Sequence, residues 1–241
     1  PETAALFVVL VALCVFFAVT SPFFLRADNL INILQNVARI GIIAGPATLL
    51  LIGGQFDLSV GSVAAFSAMV MAVLAGDPAV NTKGFAFGLP LEVAFVGAML
   101  ASLLVGVLNA VSVTVFRINA LITTLGTLAI FRGLTKVLGN GQTIVVDNFD
   151  PLGTTRIVGL PLPVYFFFGI AFLTYVVLRY TTYGRSMYAI GASPTAARLA
   201  GIRMDRALFI GFVVSAVLPG VLGLLRWSQV ACVSIDASSC R

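Results

Sequence analysis

Apolar residues run through the chain in seven long blocks, and charged residues mark the gaps between them. A helix that crosses a bilayer needs about 20 mostly apolar residues. On that criterion the blocks at 4–19, 40–52, 60–75, 93–116, 120–138, 163–178 and 207–225 predict seven membrane-crossing helices. The first block has the look of a signal-peptide core. No small-residue cleavage site follows it cleanly, however, and Phe23-Phe24 continues apolar, so it reads as a span. Residues 21–35 are mixed in polarity and predict a short interfacial helix. Asp28 is available to cap it, and Leu30, Ile31 and Leu34 fall on one face.

The loops orient the spans. Between residues 179 and 206 stand Arg179, Arg185, Arg198, Arg203 and Arg206, against the one acid Asp205. The positive-inside rule makes this loop cytoplasmic. Counting back through six spans places the N-terminus inside and the loops near 20–36, 76–91 and 139–162 outside. Asp147 and Asp150 in the last of these agree. Arg132 and Lys136 lie near the outer end of the fifth span, where long side chains can snorkel to the headgroups. Pro46 and Pro219 fall inside spans, and each removes a backbone donor and kinks its helix. Small residues (Gly41 and Gly45, Gly97 and Ala101, Gly126 and Gly133, Gly220 and Gly223) allow helices to approach closely in lipid.

Composition narrows the class. Hydrophobic residues make up 60% of the 241 and charged residues 10%, against about 45–50% and about 25% in ordinary soluble domains. That excludes a soluble enzyme and a disordered chain, and leaves an all-α, polytopic transmembrane helical bundle of about seven spans with a broken-helix segment. There is no histidine, so no histidine base or histidine metal site is expected. Cys14, Cys232 and Cys240 form no C-x-x-C, and a Cys232–Cys240 disulfide is one arrangement open to the last two. Neither lysine, Lys83 or Lys136, sits in G-x-x-x-x-G-K-[ST], so the chain does not hydrolyse ATP by itself. The net charge of +5 reflects the arginines of the 179–206 loop and does not indicate nucleic-acid binding. No catalytic residues, metal or cofactor are expected.

Two segments carry candidate chemistry. The first is Gly53-Gly54-Gln55-Phe56-Asp57-Leu58-Ser59-Val60-Gly61, with almost no room for a loop between two spans. Paired glycines break a helix, and Asp57 or Ser59 can cap the next. Two readings stay open: a tight turn at the cytoplasmic face with Asp57 as a helix cap, or a polar break on the path of a transported solute. The second is the run from Tyr183 to Ile202. Ser193-Pro194 starts a short helix over 195–199 and Gly201 ends it. Two readings stay open here as well: arginines that only orient the chain in the membrane, or a polar helix lying along it that binds anionic lipid or a cytoplasmic protein.

These segments resemble a known family. Gly-Gly-x-x-Asp-Leu-Ser-Val-Gly at 53–61 looks like the signature of permease subunits of ribose/xylose/fructose-type sugar ABC importers, which are related to the branched-chain amino-acid permeases. Thr123-Thr124-Leu125-Gly126-Thr127, Phe131-Arg132-Gly133 and Asn140-Gly141-Gln142 resemble the next family block, and Tyr183-Gly184-Arg185 through Gly201-Ile202 resemble the loop that holds the coupling helix. The resemblance implies a multi-pass protein of the bacterial inner membrane that forms the pore with a second permease subunit, most simply as a homodimer. It also implies ABC ATPase subunits docking from the cytoplasm and a periplasmic binding protein that delivers a sugar. Arg185, Ala196, Ala197, Arg198, Gly201 and Arg203 would then meet the ATPase. Gly53, Gly54, Phe56, Asp57, Ser59 and Gly61 would form the broken helix on the translocation path. Asn109, Asn119, Thr123, Thr124 and Gln142 are candidates for substrate contact. The family carries further spans after the position of Arg226, so residues 1–241 are expected to be a partial permease domain lacking them. The alternatives are a non-transporting fragment of such a permease, or a secondary transporter driven by an ion gradient. The latter needs several buried ionisable groups, and only Asp57 is offered.

Overall fold

A computed structural model of the chain describes residues 2–79, 81, 85–141, 144–145, 156–157, 159–230 and 232–233. Nine helices are found among them. The apolar blocks appear as α1 (Glu2–Thr20), α2 (Ala27–Ile52), α3 (Val60–Ala75), α4 (Leu91–Thr114), α5 (Ala120–Leu138), α6 (Leu162–Tyr180) and α9 (Met204–Val230). Between α6 and α9 come α7 (Thr182–Ala192) and α8 (Pro194–Leu199). Four strands of two residues complete the described chain. They are β1 (Ile144–Val145), β2 (Arg156–Ile157), β3 (Leu160–Pro161) and β4 (Cys232–Val233), paired antiparallel as β1 with β4 and β2 with β3. The architecture is nearly all-helical.

α2, α4, α5, α6 and α9 are long and apolar enough to cross a membrane, while residues 5–20 and 60–75 form shorter apolar helices. The separate interfacial helix expected over 21–35 is not present. Residues 27–35 are the first turns of α2, which runs unbroken for 26 residues. Asp28 lies in that helix's first turn, where its charge suits the N-terminal dipole, and the N-cap is Arg26 with no side-chain cap bond. The apolar face of Leu30 and Leu34 therefore continues the face of a long helix. The arginine-rich connection also holds more helix than expected, because α7 precedes the short helix foreseen at 195–199. Cys240, and with it the test of a Cys232–Cys240 pairing, and Gln142 lie outside the described residues.

α9 is the centre of the bundle. It packs against α3 and α4 on one side and α2 on another, and Phe212, Ser215 and Ala216 are fully buried. Glycines set the separation between helices. A Cβ on Gly106 would meet Ala216 Cβ at 2.8 Å and the α9 backbone at 3.2 Å, one on Gly41 would overlap the Phe167 ring, and one on Gly97 would meet Leu74 at 2.5 Å. In lipid no water-exclusion term draws helices together, so this close backbone approach supplies the dispersion contact that does. Gly126 and Gly133 differ from Gly41, Gly97 and Gly106: nothing lies within 4 Å of a Cβ at either. α1 packs least, with most of its large apolar side chains 45–82% exposed.

The contacts sort the connections onto two ends of the bundle. Ile144 packs among Met69, Met71, Ala72, Ala94 and Ala98, which puts β1 beside the end of α3 and the start of α4. At the other end Arg117, between α4 and α5, pairs with Asp205 at the start of α9. The same end holds α7 and α8, which pack on α2 and α9 through Met187, Ile190, Ala197, Ala207, Leu208 and Ile52.

Candidate functional site

The glycine pair ends α2 in a complete Schellman turn. Gly53 caps the helix, and Gly54 takes φ +74°, which a residue without a Cβ adopts freely. The Gly54 N–H donates to the Leu51 carbonyl at 3.0 Å and the Gln55 N–H to the Leu50 carbonyl at 2.9 Å, so these two carbonyls of the last turn of α2 are satisfied. Residues 55–59 then run without helix until α3 begins at Val60. Gly61 has open space around it, with nothing within 4 Å of a Cβ.

Asp57 organises the break. One carboxylate oxygen accepts from the Ser59 N–H at 2.9 Å and from the Ser59 hydroxyl at 2.6 Å. The other accepts from the Ser215 hydroxyl of α9 at 2.7 Å. Ser59 Oγ in turn accepts from the Asn109 amide nitrogen of α4 at 2.9 Å. Ser59, Ser215 and Asn109 are at most 1% exposed, and Asp57 is half-buried. The break and two long helices, α4 and α9, therefore meet in a hydrogen-bonded polar chain inside an apolar bundle. Bonds to a charged acceptor are the stronger ones, about 1.5–3 kcal/mol each. Asn109 Oδ1 is buried with no partner among the described residues. From α5, Thr124 Oγ1 approaches the Phe56 carbonyl at 3.5 Å, at the outer limit for a bond. Phe56 leaves about half of its side chain exposed.

Some sequence-predicted residues lie elsewhere. Asn119 is the N-cap of α5, its side-chain oxygen accepting from the Leu121 N–H at 2.9 Å, and it is exposed; this accounts for it as a helix start. Thr123 Oγ1 is buried without a partner among the described residues, one position from Thr124. Ser215 escaped the sequence reading altogether. Its only signal is a lone serine in the apolar block 207–225, and nothing local says which face it takes.

The arginine-rich connection is a docked helical pair. Ser193 Oγ accepts from the Ala196 N–H at 3.3 Å to start α8, and Gly201, at φ +77°, ends it in a second Schellman turn. Ala197 is buried against the chain's own α7 and α9, so its small size seats α8 on the protein itself; Ala196, Arg198, Gly201 and Arg203 are exposed. Arg185 is exposed on α7. α7 presses on the broken end of α2. A Cβ on Gly191 would overlap the Ile52 carbonyl, and Met187 Cε stands 2.5 Å from where a Cβ on Gly53 would be. Tyr183 adds a tie, donating to the Ala207 carbonyl at 3.1 Å. Burial pushes its phenol up to about 12, so it remains a donor at any physiological pH.

Apolar helices of spanning length around a polar break, with a basic helical pair fastened to one end, define a multi-pass membrane protein. The chain belongs to the family described as branched-chain amino acid transport system / permease component, which matches residues 29–239. It is 29% identical to the ribose import permease protein RbsC of Haemophilus influenzae over 93% of this chain and 68% of that one. It is 32% identical to the probable ABC transporter permease protein YphD of Escherichia coli K12, over 91% of this chain and 64% of that one. With the L-arabinose ABC transporter permease protein AraH of Azospirillum brasilense the identity is 31%, over 89% and 61%. The chain thus spans about two thirds or less of the length of these relatives. No solved structure matches it.

Proposed function

We propose that the chain is a membrane-spanning permease segment of a sugar ABC importer in the bacterial inner membrane, crossing the bilayer seven times. α1 and α3 join the five longer helices as spans. α3 is about 24 Å long by its 16 residues, less than the about 30 Å of hydrocarbon, so the extended residues before it dip below the headgroups and Asp57 sits at the edge of the apolar slab. The polar break is then a point on the translocation path, with Phe56 and Thr124 beside it. The relatives' names, ribose and L-arabinose among them, support a sugar as the solute. The remaining parts are a periplasmic binding protein that delivers it, a second permease copy and separate ATPase subunits.

The observation that carries this reading is the seat of α7 on the broken end of α2. The exposed face of α7–α8, with Arg185, Ala196, Arg198, Gly201 and Arg203, docks the ATPase. Gly191 and Met187 lie directly against Ile52 and Gly53, so a displacement of the docked pair moves the end of α2 and strains the Asp57–Ser215 and Ser59–Asn109 bonds behind it. Stiff close-packed contacts transmit such a push because packed interiors yield little.

The test is reconstitution of the full-length permease with its ATPase and binding protein in vesicles, with labelled ribose or L-arabinose. A bulky, acidic Ala196→Glu on the docking face is expected to lower ATPase co-purification and uptake together. Unchanged association and uptake would reject the docking face.

A further inference from the structure

The end of the bundle that carries α7 and α8 also holds a cleft of about 490 Å³ into which four arginines converge. Arg117 comes from the α4–α5 connection, Arg198 from α8, and Arg203 and Arg206 from either side of the α9 start. The one carboxylate in the lining is Asp205, whose Oδ2 accepts from Arg117 at 3.0 Å. Both partners are more than half exposed, so this pair holds little energy, at most about 1 kcal/mol. It leaves three guanidiniums facing no carboxylate within the cleft. Arg117 sits at φ +58°, the left-handed region that costs a side-chain-bearing residue about 1–2 kcal/mol. The Phe116 and Ile118 N–H groups, bonded back to Val111 and Ser112, hold the backbone there.

Ile202 and Met204 add apolar side chains to the lining, and Phe116 and Leu199, which adjoin Arg117 and Arg198 in sequence, are 69% and 87% exposed. Guanidinium forks match a phosphate in shape and charge. Apolar side chains next to them, at the point where α4 and α9 leave the hydrocarbon, suit an amphiphile better than a soluble anion or an acidic protein segment. Basic pockets between spans on the cytoplasmic side are a recurrent way to hold acidic headgroups. We propose that this cleft binds the phosphate-bearing headgroup of an anionic phospholipid from the leaflet on the α7–α8 side. The proposal rests on the membrane-crossing reading but not on transport; Arg198 and Arg203 also belong to the proposed ATPase-docking face, so lipid and ATPase would compete for these two side chains.

The experiment uses the full chain purified in a zwitterionic detergent, titrated with dioctanoyl phosphatidylglycerol, dioctanoyl phosphatidylcholine or inorganic phosphate, and read by native mass spectrometry and melting temperature. Saturable phosphatidylglycerol binding is expected, at least tenfold tighter than phosphatidylcholine and weakened by salt. R203Q/R206Q should abolish the preference and R117Q should reduce it, while Arg132→Gln, at the opposite end, should leave it intact; helix content by circular dichroism checks each fold. Equal binding of both lipids, or a preference that survives R203Q/R206Q, overturns the proposal. Inorganic phosphate competing as well as the lipid assigns the cleft to a free anion and also overturns it. So does a cleft that ignores lipid while R203Q/R206Q abolishes ATPase association, which makes the occupant a protein. Because neither ATPase nor substrate is needed for the titration, a negative result here leaves the transport reading standing, and failed transport leaves this one standing.

Discussion

Gly191→Ala tests the mechanical seat between α7 and α2. The added Cβ would overlap the Ile52 carbonyl, a backbone atom that cannot swing aside, so α7 must lift or the end of α2 must shift. Overpacking of this kind costs about 1–3 kcal/mol. Against it stands the helix-propensity gain of alanine over glycine, at most about 1 kcal/mol. Gly126→Ala supplies the comparison, because its Cβ meets nothing within 4 Å and it collects the propensity gain alone. The two variants should therefore differ by about 1–3 kcal/mol, a factor of about five to over a hundred in the unfolding equilibrium. The assay is unfolding in mixed detergent–dodecyl sulfate micelles, followed by helix content. In vesicles with the partner ATPase, Gly191→Ala should also lower solute moved per ATP hydrolysed more than it lowers hydrolysis. Equal stability of the two variants would refute the close seat, and normal coupling in a destabilised Gly191→Ala protein would refute its role in transmission.

Other substitutions probe the break. Asp57→Ala removes the acceptor for the buried Ser215 hydroxyl and for the Ser59 N–H, about 1–3 kcal/mol for each orphaned donor; Asp57→Asn, which keeps an acceptor, should cost less, and micelle unfolding of the pair checks the order. Ser215→Ala frees only one carboxylate oxygen and should cost less than Asp57→Ala in the same assay. Gly54→Ala forces a side chain into φ +74° and should destabilise by about 1–2 kcal/mol, whereas Gly61→Ala should be neutral or stabilising by the same measurement. Ala197→Leu has no space between α8 and α9 and should release α8 to limited proteolysis at Arg198 or Arg203.

Much of the architecture was legible because it is local. A run of apolar residues is helical in lipid whatever its neighbours do, since its backbone must satisfy itself. The Gly53-Gly54 stop, the Ser193-Pro194 start and the Gly201 stop depend on φ preferences and short-range hydrogen bonds, and each stands where the residue types put it. The positive charge at 179–206 also needs no tertiary knowledge. The interfacial helix failed for a related reason: a mixed stretch before an apolar one has no signal that separates a distinct helix from the first turns of a longer one.

Tertiary structure alone decided which polar groups meet. Ser215 is 158 residues from Asp57, and its block is apolar all round, so no periodicity marks an inner face. Lipid and protein interior are equally apolar, and orientation is settled by which faces pack closely, here Gly106 against Ala216 and Gly191 against Ile52. The same packing turned Ala197 inward and left Ala196 outside. Residue types along the chain set the helices, their stops and the charged end; the fit of small residues between helices brought Asp57, Ser59, Asn109 and Ser215 into one chain of hydrogen bonds.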